Sequence, residues 1–135
     1  MLVTAAGDLR IAEPLSGFEL TAAPERHSID GLDTQNVRFE RINEDGFFES
    51  YSIAVLSGPE VAATLKAPES MEYVAVEAFT VNGSQVYSRH RDFGTEFPIY
   101  EFAWGISDHE AVAVLTQYLD EDELLKVVAS LEVAR

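Results

Sequence analysis

The chain has 135 residues, and its 24 acidic side chains against 9 basic ones give a formal net charge of −15. Binding nucleic acid requires a basic surface, and an anionic membrane repels an acidic protein, so the composition argues against both partners. The absence of cysteine excludes thiolate chemistry, while the length and a hydrophobic fraction of 47% predict one soluble domain.

Residues 1–35 carry turn-forming and helix-breaking residues at short intervals and show little periodicity. They predict an irregular lead-in with one short strand near residues 18–21. Regular patterns begin after this stretch, and no linker or repeat divides the chain. We therefore expect a single domain over residues 1–135, with its sheet and helix core in residues 36–135.

Two hairpins are predicted from strand–turn–strand patterns. Residues 37–42 alternate as a strand, residues 43–46 read Asn-Glu-Asp-Gly, and residues 47–56 are rich in aromatic and β-branched side chains. In the second hairpin, Asn82-Gly83 stands between two strand-like segments. This pair readily takes the positive φ angles of a tight turn.

A short helix and a third pair of strands complete the sheet region. Pro59 suits the first turn of a helix near residues 59–66, because its missing N–H costs nothing there. Residues 99–105 and 111–118 alternate as two strands joined by a polar linker. Together with the hairpins, they predict an antiparallel, meander-like sheet of about six strands.

The chain ends in a predicted amphipathic helix. Asp120, followed three residues later by Glu123, has the spacing of a capping box. Apolar side chains then recur at helical spacing, at Leu124, Leu125, Val128 and Leu131. We predict an α+β fold in which this helix packs on one face of the sheet.

No pattern of residues predicts catalysis or metal binding. The sequence lacks the Gly-x-Ser-x-Gly elbow and the glycine-rich phosphate loops. The acidic run at residues 120–123 suits the first turn of a helix, and Asp108-His109-Glu110 suits a solvated turn better than a zinc site. We therefore expect no catalytic residue, no metal and no cofactor, with a carboxylate-dependent hydrolase as a remote alternative.

The candidate ligand-binding residues lie on two predicted strands. Tyr100, Phe102 and Trp104 recur at period two as an aromatic stripe. Core packing explains such stripes most often, and lining a groove for an apolar ligand is the alternative. Arg89 and Arg91 form a basic cluster, which either pairs with neighbouring carboxylates or docks an anion or an acidic segment of a partner.

Four segments together resemble a known family. They are Pro-Leu-Ser-Gly-Phe-Glu-Leu at residues 14–20, Val-Asn-Gly at 81–83, Phe-Ala-Trp at 102–104 and the closing segment at 119–131. In this order they resemble small uncharacterised domains at the extracytoplasmic end of some bacterial anti-sigma factors and lipoproteins, which are similar to lipoprotein-carrier and sigma-regulator folds. The resemblance implies a non-enzymatic sheet-and-helix fold with structural markers at Asn82, Gly83 and Trp104.

The location of the protein follows from the same resemblance or from the start of the chain. Residues 1–10 have no basic start, apolar run or cleavage pattern, and no window is apolar enough for a membrane span. The resemblance implies an extracytoplasmic location, whereas the chain taken as complete implies a cytoplasmic one.

These observations favour a non-enzymatic binding or sensory module that recognises a small apolar ligand, a peptide or a protein partner. The alternative is an assembly domain that pairs through an exposed sheet edge with a partner, or with a second copy as a homodimer. The aromatic stripe, the absence of catalytic patterns and the family resemblance motivate the first hypothesis.

Overall fold

The computed structural model describes a protein made mostly of β-strands. The described residues are 2–4, 7–10, 17–21, 25–29, 32–59, 61, 73–81, 83–91, 99–117 and 121–134. They contain the following strands: β1 (Leu2–Thr4), β2 (Gly7–Arg10), β3 (Glu19–Leu20), β4 (Glu25–Ile29), β5 (Leu32–Ile42), β6 (Phe48–Ser57), β7 (Tyr73–Val81), β8 (Ser84–Arg91), β9 (Ile99–Gly105), β10 (Glu110–Gln117) and β11 (Glu132–Ala134). A helix, α1 (Glu121–Ser130), lies between β10 and β11.

Eight of these strands form one open antiparallel sheet. Its order is β3-β5-β6-β10-β9-β8-β7, and β4 pairs with β5 alongside β3. Strands β7 to β10 follow one another as a meander, whereas the β5–β6 hairpin pairs with β10. The predicted α+β fold with an antiparallel sheet is confirmed, but the sheet has more than the six strands expected.

The additional strands come from residues 1–35, where the sequence predicts one. β3 lies within the strand predicted near residues 18–21, and β1, β2 and β4 are three more. β1 and β2 form a separate three-stranded sheet with β11 from the end of the chain. Strands of three to five residues are too short to display an alternating pattern, so their sequence carries little sign of them.

The predicted hairpins and terminal helix are present. β7 and β8 flank Gly83, whose φ of +82° suits the tight turn. Asn82 and Asp120 lie outside the described residues. Of the short helix predicted near residues 59–66, residues 60 and 62–66 also lie outside them, and Val61 is helical. In the described part of the chain, no helix combines the length and the apolar character needed to cross a membrane.

The main core lies against one face of the large sheet. Its strands contribute buried side chains at alternating positions: Val37, Phe39, Tyr51, Ile53, Val55, Val86, Phe102, Trp104, Val112 and Val114. Val127, Val128 and Leu131 from α1 and its end belong to the same cluster, as do Leu2 and Leu9 from the small sheet. The helix and the small sheet therefore remove this face from water, which supplies the main driving force for folding.

The opposite face of the large sheet carries small residues near its centre. Ala103, Ala111 and Ala113 pack there with Val61, which follows the end of β6. Their short side chains allow the segment at Val61 to approach the sheet closely. Both faces of the central strands are therefore buried.

Candidate functional site

The described part of the aromatic stripe lies in the core. Phe102 is fully buried and Trp104 is 7% exposed. In the register, Phe102 stands opposite Val114 and Trp104 opposite Val112, both fully buried. Tyr100 stands opposite Thr116, although its side chain is outside the description. Phe102 and Trp104 thus pack as the core interpretation of the stripe requires.

The two candidate arginines occupy strand positions that alternate with those facing Phe102 and Trp104. Arg89 stands opposite Glu101, whereas Ser88 stands opposite Phe102. Because successive residues of a strand alternate between faces, the positions of Arg89 and Arg91 belong to the other face of the sheet. The fold therefore separates the two halves of the candidate set, and their ligand-binding role stays a prediction.

Two grooves on the described surface lie along β4 and β5, and Trp104 lines neither of them. One has a volume of about 410 Å³ and is lined by Thr21, Glu25, Asn36, Val37, Arg38, Glu40 and Ser52. The other, of about 440 Å³, is lined by Arg26, His27, Ser28, Asp33, Thr34 and Gln35. Both are lined mainly by polar side chains, whereas sites for apolar ligands are lined mainly by apolar ones.

Acidic and histidine side chains do not cluster as metal ligands in the described residues. No group of three or more His, Asp or Glu side chains could hold a metal ion there. Asp108 and His109 are exposed in the β9–β10 connection, where the His109 N–H donates to Ser107 Oγ at 3.3 Å. Asp108 and His109 therefore lie in a solvated turn as predicted, whereas Glu110 is buried at 8% exposure because it begins the central strand β10.

A different feature stands out at the end of the β5–β6 hairpin. Three large apolar side chains are solvent-exposed there: Ile42 at 66%, Phe47 at 65% and Phe48 at 53%. Ile42 and Phe48 stand directly opposite each other in the register, and Phe47 follows the turn. We call these three residues the apolar tip. Clustered exposed apolar residues, unlike scattered ones, mark interaction sites.

The turn that carries the apolar tip is held by its own hydrogen bonds. The Asn43 N–H donates to the Phe47 carbonyl at 2.9 Å, and the Gly46 N–H donates to the Asn43 carbonyl at 3.0 Å. Asn43 Oδ1 accepts from the N–H groups of Asp45 at 3.0 Å and Phe47 at 2.9 Å. These bonds pair Asn43 with Phe47 and leave residues 44–46 as a three-residue loop. Hairpin loops of this length commonly end on a residue in the left-handed conformation, and Gly46 has a φ of +83°. The apolar side chains are therefore presented on an ordered backbone.

An arginine next to the apolar tip connects the hairpin to the rest of the fold. Arg41 Nη2 lies 3.1 Å from Glu49 Oε2 on the adjacent strand and 3.6 Å from Glu123 Oε2 on α1. The Arg41 guanidinium carbon also lies 4.4 Å from the centroid of the Phe18 ring, within cation–π distance. One side chain thus joins both hairpin strands, the helix and the segment before β3.

Aromatic rings connect the contacts of Arg41 to the hydrophobic core. The Tyr51 ring meets Phe18 edge-on at 5.0 Å between centroids and stacks on Phe39 at 5.0 Å. Both arrangements are favourable for aromatic pairs. The tip therefore projects from a well-packed support.

The turn that carries the apolar tip also carries two exposed acidic residues. Glu44 and Asp45 are exposed and lie between Ile42 and Phe47 in the chain. Within the described residues, neither carboxylate takes part in an ion pair. The surface at this end of the molecule is thus apolar and acidic at once.

Sequence reasoning missed the apolar tip, although a signal for it exists. Phe48 shares its strand parity with Ser50 and Ser52, whereas the buried residues Tyr51 and Ile53 have the other parity. Ile42 likewise shares parity with Glu40 on β5. Large apolar residues in the polar register of both strands, next to one turn, indicate an exposed apolar surface.

Comparison of the chain with family models, curated proteins and solved structures finds no match. The resemblance to anti-sigma factor and lipoprotein domains therefore stays a prediction. Function has to be argued from the geometry of the molecule itself.

Proposed function

We propose that this chain is a non-enzymatic binding module that docks onto a partner protein through its apolar tip. The observation that carries the proposal is the joint exposure of Ile42, Phe47 and Phe48 on one hydrogen-bonded turn. Exposing large apolar side chains to water is unfavourable, and because these three are 53–66% exposed, burying each against a partner recovers about 1–2 kcal/mol. Aromatic anchors of this kind contribute strongly to protein interfaces.

The shape of the tip favours a protein over a small apolar ligand. Small molecules bind in concave sites that enclose most of their surface, and a hairpin end is convex. A convex, pre-ordered projection suits insertion into a groove of another protein, because little conformational freedom is lost on binding. The burial of Phe102 and Trp104 weakens the alternative of a ligand groove on the aromatic stripe.

Site-specific photo-crosslinking in cells of the source organism tests the proposal. A photoreactive phenylalanine analogue replaces Phe47 in one sample and Leu115, an exposed residue of β10, in a matched control. We expect a discrete protein adduct from position 47 that position 115 does not yield. When the crosslinked protein is identified, purified and mixed with the chain, the same adduct should form again. The same adducts from both positions, or none from position 47, would contradict the proposal.

A second candidate function is assembly through the edge of the sheet. β7 is a nine-residue strand at the end of the strand order, with β8 as its partner within the described residues. Long apolar edge strands pair readily with other chains. Sedimentation velocity over a range of concentrations tests this candidate: self-association that Ala78→Lys abolishes would support it, and a monomer at every concentration would contradict self-pairing.

A further inference from the structure

We infer that the partner of the apolar tip is a protein surface whose apolar pocket is ringed by lysine or arginine side chains. This inference rests on the proposed function and adds the chemistry of the partner. It follows from Glu44 and Asp45, which the turn holds between the residues that would be buried.

The two carboxylates constrain any surface that covers the tip. Asp45 N–H donates to Asn43 Oδ1, so the turn backbone is already held, while the carboxylates of Glu44 and Asp45 have no ion pair within the described residues. Arg41, next to Ile42 in the chain, bridges Glu49 and Glu123. Since removing a carboxylate from water without a partner is costly, the docking surface must supply cations or N–H donors beside its apolar pocket.

The same charges disfavour the other occupants of an exposed apolar surface. Two copies meeting tip to tip would bring four carboxylates together, between chains that each carry a formal charge of −15. A bilayer would have to accept Glu44 and Asp45 along with the apolar side chains, and anionic headgroups would repel them. A basic-rimmed protein pocket meets both the apolar and the acidic requirement.

Two synthetic helical peptides serve as probes in the experiment. One has a leucine face and a lysine face, and the other has glutamate in place of every lysine. Fluorescence anisotropy of the labelled peptides measures their affinity for the full chain at low and at moderate salt. We expect the lysine peptide to bind at least about tenfold more tightly than the glutamate peptide, with an affinity that falls as salt screens the charges.

Matched variants separate the tip from the overall charge. Phe47→Ser with Phe48→Ser should weaken binding of the lysine peptide by about tenfold or more, whereas Leu20→Ser, a control of similar exposure at 55%, should not. Glu44→Gln with Asp45→Asn should weaken binding several-fold and flatten its salt dependence. Asp33→Asn with Asp108→Asn removes two exposed carboxylates at the other end of the strands and should have the smaller effect.

The outcomes distinguish the basic partner from the docking surface itself. Equal affinity for the two peptides, including no binding of either, would overturn the basic partner. If the two peptides bound equally and the variant with Phe47→Ser and Phe48→Ser weakened the binding of both, docking through the apolar tip would still be supported. Binding of the lysine peptide that the Phe variant leaves unchanged would overturn both. Phe47-dependent binding to phosphatidylcholine vesicles, or a dimer lost in the double Phe variant, would replace the basic protein with a lipid or a second copy.

Discussion

Arg41 of β5 and Glu123 of α1 lie 3.6 Å apart, between guanidinium Nη2 and carboxylate Oε2. The same nitrogen lies 3.1 Å from Glu49 Oε2 on β6, so one arginine joins two carboxylates from different elements. Because Arg41 immediately precedes Ile42, this bridge couples the base of the apolar tip to the helix that covers the core.

Loss of this arginine should destabilise the fold. We expect Arg41→Met to lower the free energy of unfolding by about 2–4 kcal/mol, because Glu49 is left mostly buried without its cation. Arg38→Met is the matched control: Arg38 is 54% exposed and pairs with Glu40 at 3.0 Å, so its loss should cost no more than about 1 kcal/mol. Urea unfolding followed by circular dichroism measures both, and equal losses would contradict the bridging role.

The buried aromatic stripe supports a second prediction. Phe102→Ala removes a fully buried side chain from the core and should lower the free energy of unfolding by about 3–5 kcal/mol. Leu115→Ala, on the neighbouring strand but exposed, should cost less than about 1 kcal/mol. Thermal and urea unfolding give these values. A Phe102→Ala protein as stable as the parent would return the stripe to consideration as a ligand groove.

The turn of the hairpin depends on the backbone conformation of Gly46. Its φ is +83°, and nothing lies within 4 Å of an added Cβ, so Gly46→Ala tests backbone strain without a clash. We expect a loss of about 1–2 kcal/mol in the free energy of unfolding, since side chains disfavour the left-handed region. Gly46→Asn should recover part of this loss, because asparagine tolerates that region. An alanine variant of unchanged stability would mean that the turn adopts another conformation.

The large negative charge makes stability dependent on salt. Repulsion among carboxylates opposes the compact state, and added salt screens it. We expect the melting temperature of the chain, with its formal charge of −15, to rise as sodium chloride increases from low to moderate concentration. The variant with Asp33→Asn and Asp108→Asn should show a smaller rise. A melting temperature that falls with salt would show that ion pairs outweigh the repulsion.

Patterns confined to a few neighbouring residues were sufficient to predict part of the fold. The turn at Gly83, the strands β5, β6, β9 and β10, and the burial of Val128 and Leu131 in and after α1 appear where the sequence placed them. Each depends on turn chemistry or side-chain periodicity within about ten residues. These are local properties, so one sequence is enough to expose them.

The order of the strands could not be predicted in this way. Val55 of β6 stands opposite Gln35 on one side and Val112 on the other, a partner 57 residues along the chain. The alternation along β10 assigns successive residues to opposite faces of the sheet, but it does not identify the neighbouring strand, and residues 110–114 are buried on both faces. The pairing of β2 with β11 likewise joins residues from the two ends of the chain.

The candidate site was missed for a related reason. Phe47 and Phe48 look like core residues of a strand when only hydrophobicity is considered. Their exposure depends on the register of β5 and β6 and on which face α1 covers, both of which are tertiary properties. The available signal was that Phe48 alternates in step with Ser50 and Ser52, and so lies on the same face of β6 as these polar residues.

Binding of the purified partner obtained by crosslinking at position 47 tests the central claim most directly. Isothermal titration calorimetry would compare the parent chain, the variant with Phe47→Ser and Phe48→Ser, and the Leu20→Ser control, each first checked for unchanged unfolding. The account predicts that the double variant loses about tenfold or more in affinity while the control binds like the parent. Parental affinity in the double variant would contradict the claim that the apolar tip is the docking surface.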